Sequence, residues 1–222
     1  RWSAMAKTFT RIGKDIVMAV KEGGPIPESN SKLRAVIQNA KAANMPKDNI
    51  ESAIKRAAQK DIASFTEVNY EGKGPHGVLV FVECATDNTT RTVSNVKSYF
   101  NKANGGFVPN GSLEFMFSRK AVFEFEMPEG METEDLELEL IDAGLEEIEE
   151  NEGTYYAYGD YTSFGDMAAA LEKLEINVSN AELKRIPTTP VEYTEEQLEE
   201  IEKMLDKMEE DEDVQAVFTN IA

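Results

Sequence analysis

The residues best suited to chemistry in this chain are cations at helical spacing. Lys7, Arg11, Lys14 and Lys21 fall within about 80° of one another on a wheel turned at 100° per residue, so a helix would carry them as one stripe. Lysines and arginines on one face neutralise phosphates and release counterions, which is the sequence-independent part of nucleic-acid binding. Lys32, Arg34, Lys41, Lys47, Lys55 and Arg56 follow and extend the candidate surface around that stripe. Arg91 is a different case. A cation in the first turn after Asp87-Asn88 opposes the helix dipole, and either a functional contact or a salt bridge to Asp87 would account for it. Trp2 either stacks on a base or anchors the first helix.

Gly72-Lys73-Gly74-Pro75-His76-Gly77 matches the dinucleotide fingerprint in letters but not in context. That motif works because its last glycine opens a helix whose N-terminus holds pyrophosphate. Here Gly77 instead opens a strand-like run, Val78 to Cys84. Gly72, Lys73, Gly74, His76 and Gly77 therefore read either as a connecting loop or as an amide-rich surface for phosphate. His76 has no nucleophile beside it in this loop, so no catalytic triad is expected, and no residue is assigned a catalytic role. One cysteine, Cys84, excludes an internal disulfide and a thiolate metal site. Carboxylate pairs such as Glu149-Glu150 read as solvated charge, and neither a metal nor a cofactor is expected.

Charge is sorted along the chain. Residues 1–62 hold 12 Lys/Arg against 6 Asp/Glu, residues 63–125 hold 6 of each, and residues 126–222 hold 5 against 30, within a net charge of −19. A cationic head on an anionic body implies different partners at the two ends: a polyanion for the head and a basic protein for the body. No apolar run approaches the ~18 residues of a membrane span, and no secretory segment is evident, so no membrane partner is expected and the protein reads as cytoplasmic. The sequence starts at Arg1-Trp2 without Met, so further residues are expected upstream.

Three helical patterns occupy the head. Met5, Phe9, Ile12, Ile16, Ala19 and Val20 make the first apolar stripe, and Leu33, Val36, Ile37 and Ala40 the second. A third opens near Pro46, with Asp48 and Glu51 read as a capping box. Strands begin near Thr66, with a helix after Asp87-Asn88-Thr89 and short strands at 113–117 and 121–125. The missing helix and strand appear only at the C-terminus, where Thr194 to Gln197 form a capping box ahead of the run 214–221. The expected architecture is α+β: a basic three-helix domain over 1–62, a ferredoxin-like α/β sandwich made of 63–127 plus 188–222, and a second, acidic sandwich over 128–187 inserted in the first. In the insertion, helices are expected at 133–143 and 164–174, and strands near 145–148, 155–158 and 176–186.

Three stretches together resemble the YebC/PmpR family of transcriptional regulators, which includes a mitochondrial translational activator. They are Lys41-Ala-Ala-Asn-Met-Pro-Lys-Asp-Asn-Ile-Glu-Ser-Ala-Ile-Lys-Arg56, then Tyr70-Glu-Gly-Lys-Gly-Pro-His-Gly77, then Asp87-Asn-Thr-Thr-Arg-Thr92 with Gly111-Ser-Leu-Glu-Phe115. The first is long and specific, and the likeness spans essentially the whole chain. It implies a helical domain followed by two α/β domains and a non-enzymatic role on DNA, RNA or the ribosome. Three functions follow in order: a nucleic-acid-binding regulator using the basic head, a ribosome-associated translation factor, and a small-molecule module in the cleft between the α/β domains.

Overall fold

A computed structural model describes residues 2–62 and 64–222, with side chains from Lys7 onward. The side chains of Trp2 and Met5 lie outside the described residues.

The chain opens with three helices, α1 (Trp2–Gly23), α2 (Ser31–Ala42) and α3 (Lys47–Ala57). Asn30 sets the start of α2: its side chain accepts from the Leu33 amide at 3.0 Å and donates to the carbonyls of Ala19 at 2.8 Å and Gly24 at 2.9 Å. One buried amide thus caps a helix and ties it to the end of the previous one. The capping box expected at Asp48 does not form. Pro46 is the cap residue, its fixed φ suiting the entry to a helix, and Glu51 lies 3.8 Å from Lys47 one turn back.

There follow β1 (Thr66–Lys73), β2 (Leu79–Thr86), α4 (Thr89–Lys102), β3 (Gly106–Phe107), β4 (Phe117–Glu126), α5 (Thr133–Leu140), β5 (Leu145–Asn151), β6 (Thr154–Asp160), α6 (Phe164–Lys173), β7 (Val178–Pro187), α7 (Glu195–Glu210) and β8 (Val214–Thr219). They build two four-stranded sheets, ordered β3-β1-β2-β8 and β5-β6-β4-β7. The fold is mixed α+β, as expected.

By compactness the chain forms two units, residues 1–11, 63–118 and 185–222, and residues 12–62 with 119–184. In the first, the run Val78 to Cys84 is buried on both faces. Val78, Val80, Val82 and Cys84 pack with Val96 and Phe100 of α4 and with Ile201, Met204 and Met208 of α7, while Leu79 and Phe81 pack with Leu113 and Phe117 on the other side. Two-sided burial explains a run without polar alternation. The last helix is fixed by the Thr194–Gln197 capping box expected from sequence.

In the second unit, Phe123, Phe125 and Ala157 of the sheet meet Leu136 and Leu140 of α5 and Met167 and Leu171 of α6, and Ala35 of α2 joins the same cluster. Its element order, β4-α5-β5-β6-α6-β7, with strand order β5-β6-β4-β7, is the split βαβ pattern of ferredoxin-like folds. This differs from expectation in one strand. Residues 121–125, assigned to the first sandwich, lie in β4 and pair antiparallel with β6 from Lys120↔Asp160 to Glu126↔Thr154, so the division placed after residue 127 falls earlier in the sheet pairing. The alternation of Ala121, Phe123 and Phe125 is right for a strand in either sheet, and only its cross-strand partner decides. Residues 114–116, expected within a strand, form a single 3₁₀ turn.

Candidate nucleic-acid interface

Two of the four cations in the stripe of α1, Arg11 and Lys14, are taken up by the fold. Arg11 Nε donates to the Val214 carbonyl at 3.1 Å, and a second guanidinium N–H donates to the carbonyl of Glu209. Glu209 lies in the last turn of α7, where carbonyls lack helical partners and the dipole favours a cation. Gln215 Nε2 closes the contact on the Arg11 carbonyl at 3.1 Å. Lys14 is 9% exposed, and the exposed Lys21 donates to the Ile62 carbonyl at 3.1 Å. Lys7 is half-buried. The wheel put these four on a polar face, but α1 is packed on more than one side.

Two cations of α2 are also engaged. Arg34 Nε reaches both carboxylate oxygens of Glu172 at 3.0 and 3.1 Å, and another N–H donates to the Pro27 carbonyl at 2.8 Å. Lys32 pairs with Glu22 at 2.8 Å. Nearby, Asn39 uses its side-chain amide as a strand would, donating to the Ala181 carbonyl and accepting from the Ala181 amide, both at 2.8 Å. Asn39 therefore docks α2 onto β7, an edge strand of its sheet. Beside this contact lies an open groove of about 740 Å³ lined by Pro27, Arg34, Gln38, Lys41, Asn177 and Ser179.

Arg91 has the intramolecular explanation in full. Its guanidinium forks onto Asp213, with Nε to Oδ2 at 3.0 Å and a terminal nitrogen to Oδ1 at 2.7 Å, and reaches Asp87 at 2.9 Å. Asp213 is 3% exposed and also accepts from Thr92 Oγ1 at 2.9 Å. Asp213, then Asp87, hold the guanidinium protonated to above its ordinary range. The cation near the start of α4 thus ties that helix to the segment entering β8.

The glycine loop is a tight connection between β1 and β2. Gly74 N donates to Val78 O, Gly77 N to Gly74 O and Val78 N to Pro75 O, so these amides are used within the turn. His76 has φ 60°, and its Nε2 lies 3.1 Å from a Glu200 carboxylate oxygen. Gly72 and Lys73 are in β1 itself, paired with Val80 and Leu79. This geometry supports the connecting-loop reading over a phosphate cradle.

The α2–α3 hairpin keeps four of the head's candidate cations open at the surface. Lys41, Lys47, Lys55 and Arg56 are all exposed. Among the described residues, Lys41, Lys55 and Arg56 are in no ion pair, and the Lys47 contact with Glu51 is long. The two helices are joined through Ala43–Pro46, with Asn44 at φ 63°.

This is the region where the longest family-like stretch lies, and comparison with known sequences settles the family. The profile of the TACO1/YebC protein N-terminal domain matches residues 1–60, and that of the TACO1/YebC second and third domain matches residues 65–221. The chain belongs to the TACO1/YebC family. A relative from Wolinella succinogenes, named a probable transcriptional regulatory protein, is 64% identical over 100% of this chain and 94% of its own length. Another so named, from Sulfurimonas denitrificans, is 56% identical with the same coverage. Among solved structures, a conserved hypothetical protein from Aquifex aeolicus matches with a TM-score of 0.82 at 35% identity, over 98% of this chain and 90% of that one.

Two residues of this TACO1/YebC chain escaped the sequence reading. Glu71 is buried, with its carboxylate accepting from the amides of Gly111 at 2.5 Å and Leu113 at 2.7 Å. Phe115, read as part of a strand, is 89% exposed. A glutamate inside a strand and a phenylalanine after a glycine loop carry no sequence signal for these roles. Both depend on the path of the loop between β3 and β4.

Proposed function

We propose that this TACO1/YebC protein is a non-enzymatic regulator of gene expression that binds DNA or RNA through the helical head. The observation that carries this reading is the exposure of Lys41, Lys55 and Arg56 without ion-pair partners among the described residues, in a chain whose acidic residues cluster beyond residue 126. The names of the relatives support a regulatory role. Phosphate contacts fall to Lys41, Lys47, Lys55 and Arg56, with Lys7 and Lys21 at the margin. Arg11, Lys14, Lys32, Arg34 and Arg91 serve the fold. Lysine is a point charge without the planar fork that reads base edges, so the head follows the backbone, and selectivity comes from nucleic-acid shape or from a basic partner met by the acidic body.

The test is salt-dependent binding of the full chain to duplex DNA of scrambled and promoter sequence and to structured RNA. Replacing Lys41, Lys55 and Arg56 by Glu should cut affinity for all three probes and make the log–log salt slope on DNA shallower by about 2.7, at about 0.9 per phosphate contact. Unchanged affinity would remove the head from the site. A promoter preference of about 10³-fold or more at physiological salt, the low end for specific DNA binders, would replace a backbone reader with a sequence reader.

A further inference from the structure

One face of α2 is laddered onto the chain that leads from α6 into β7. Arg34 reaches Glu172 near the end of α6, Gln38 Nε2 donates to Asn177 Oδ1 at 3.1 Å, and Asn39 holds the Ala181 backbone. Helix and segment therefore run side by side in the same direction. Arg34, Ile37, Gln38, Lys41 and Ala42 recur at the i, i+3, i+4, i+7, i+8 spacing of a single helix face, and all five line the groove of about 740 Å³ beside the ladder. Asn177, Val178 and Ser179 line it from the β7 side. Each of these residues lies in the unit of residues 12–62 and 119–184, so the groove is built within one compact body.

The rungs differ in what they leave over. Arg34 and Glu172 satisfy each other, with Nε at 3.0 and 3.1 Å from the two carboxylate oxygens. Gln38 and Asn177 share one bond, which leaves an acceptor at Gln38 Oε1 and donors at Asn177 Nδ2 without a further partner among the described residues. Lys41, on the same face one turn beyond Gln38, is exposed and in no ion pair among the described residues. Ser179 turns its hydroxyl away to the Glu124 carbonyl at 3.1 Å. The lining thus offers one cation without a counter-charge, an amide acceptor beside amide donors, and apolar surface from Ile37 and Val178. The space is within the roughly 300–1,000 Å³ usual for small-ligand sites.

A phosphate answers the cation, and a planar ring with a donor and an acceptor on one edge answers the amides. Asn and Gln side chains read the N6 and N7 edge of adenine by that pairing. One nucleotide carries both features. A base inside a duplex is stacked and paired and cannot enter, so the groove takes a nucleotide that is free of both. Lys41 is also among the phosphate contacts proposed for the head, so a strand that follows the head passes this groove. We infer that the groove between α2 and the entry to β7 receives one unpaired nucleotide of RNA or DNA, with its phosphate on Lys41 and its base edge on Gln38 and Asn177. The inference rests on the proposal that the head binds nucleic acid and adds what the head selects, a backbone with an unpaired base.

The experiment compares three labelled hairpins, each made in RNA and in DNA and titrated with the full chain by anisotropy: one perfectly paired, one with a single bulged adenine nucleotide, and one with the same bulge abasic. The adenine bulge should bind about 5- to 150-fold more tightly than the other two, the size of one two-point side-chain contact to a base. The abasic bulge keeps the backbone excursion and the charge, so equal affinity for the two bulges would overturn the inference. Ala42→Trp fills the groove without changing a charge. Asn177→Asp keeps an acceptor for Gln38 Nε2 but puts an anion where the base would find a donor. With folding checked by the thermal midpoint, each variant should bring the ratio of adenine to abasic bulge to within twofold of one, and a ratio that survives either change in folded protein would also overturn the inference. The larger wild-type ratio identifies RNA or DNA as the source of the nucleotide. If the triple replacement of Lys41, Lys55 and Arg56 weakens every probe while the wild type does not distinguish the two bulges, this inference fails alone. If no probe binds, it falls together with the head.

Discussion

Arg11 of α1 and Arg91 of α4 look like Lys41, Lys55 and Arg56 of the α2–α3 hairpin as letters, but the structure uses the two sets in opposite ways. Arg11 and Arg91 close contacts onto α7 and the segment entering β8. Lys41, Lys55 and Arg56 face solvent without an acidic partner among the described residues. The difference teaches that availability is set by where carbonyls and carboxylates lie in the fold. An arginine that reaches a helix end or a buried aspartate is structural however basic its surroundings. The arginines are drawn inward more often because a planar fork satisfies two acceptors at once.

The sharpest test of the inward group is Asp213→Ala. It leaves Thr92 and the Arg91 guanidinium without their shared acceptor and should destabilise the fold by about 1.5–3 kcal/mol, the range for hydrogen bonds to a charged group, read as a lowered urea midpoint. A change below about 0.5 kcal/mol, the scale of ordinary surface substitutions, would move Arg91 back among the available cations. Arg11→Met keeps the aliphatic stem but loses the bonds to Val214 and Glu209. It should cost about 1–2 kcal/mol while nucleic-acid affinity of the folded protein stays within twofold. If affinity drops instead with stability intact, Arg11 belongs to the surface group. The triple replacement of Lys41, Lys55 and Arg56 by Glu should show the opposite pattern, with stability within about 0.5 kcal/mol of the parent and the binding loss already described. A stability loss as large as that of Asp213→Ala would erase the distinction between the two groups.

Much of the fold was legible because its signals are local. The Thr194–Gln197 capping box, the Asn88 cap of α4 and the φ of +107° at Gly144 that ends the turn after α5 each depend on a few adjacent residues. The assignment of 121–125 depended on partners 30 to 38 residues away, Tyr155 to Gly159, and alternation cannot name a partner. The site was less legible for the same reason. The wheel of α1 separates apolar from charged residues but is silent on a second packed side, and the acceptors of Arg11 lie about 200 residues downstream.

The pairing of β2 with β8 joins residues 80–84 to 214–219, with the whole of the second sheet encoded between them. During synthesis the β4–β7 sandwich has all its strands as soon as β7 emerges. The older strands β1 and β2 must wait for α7 and β8. At 5–20 residues per second that delay is on the order of ten seconds. Until then the Val78–Cys84 run has an open edge and lacks the α7 residues that cover it. A nascent or truncated chain is therefore most exposed to proteases and chaperones in its first-made sheet, and cells should clear fragments that stop before α7.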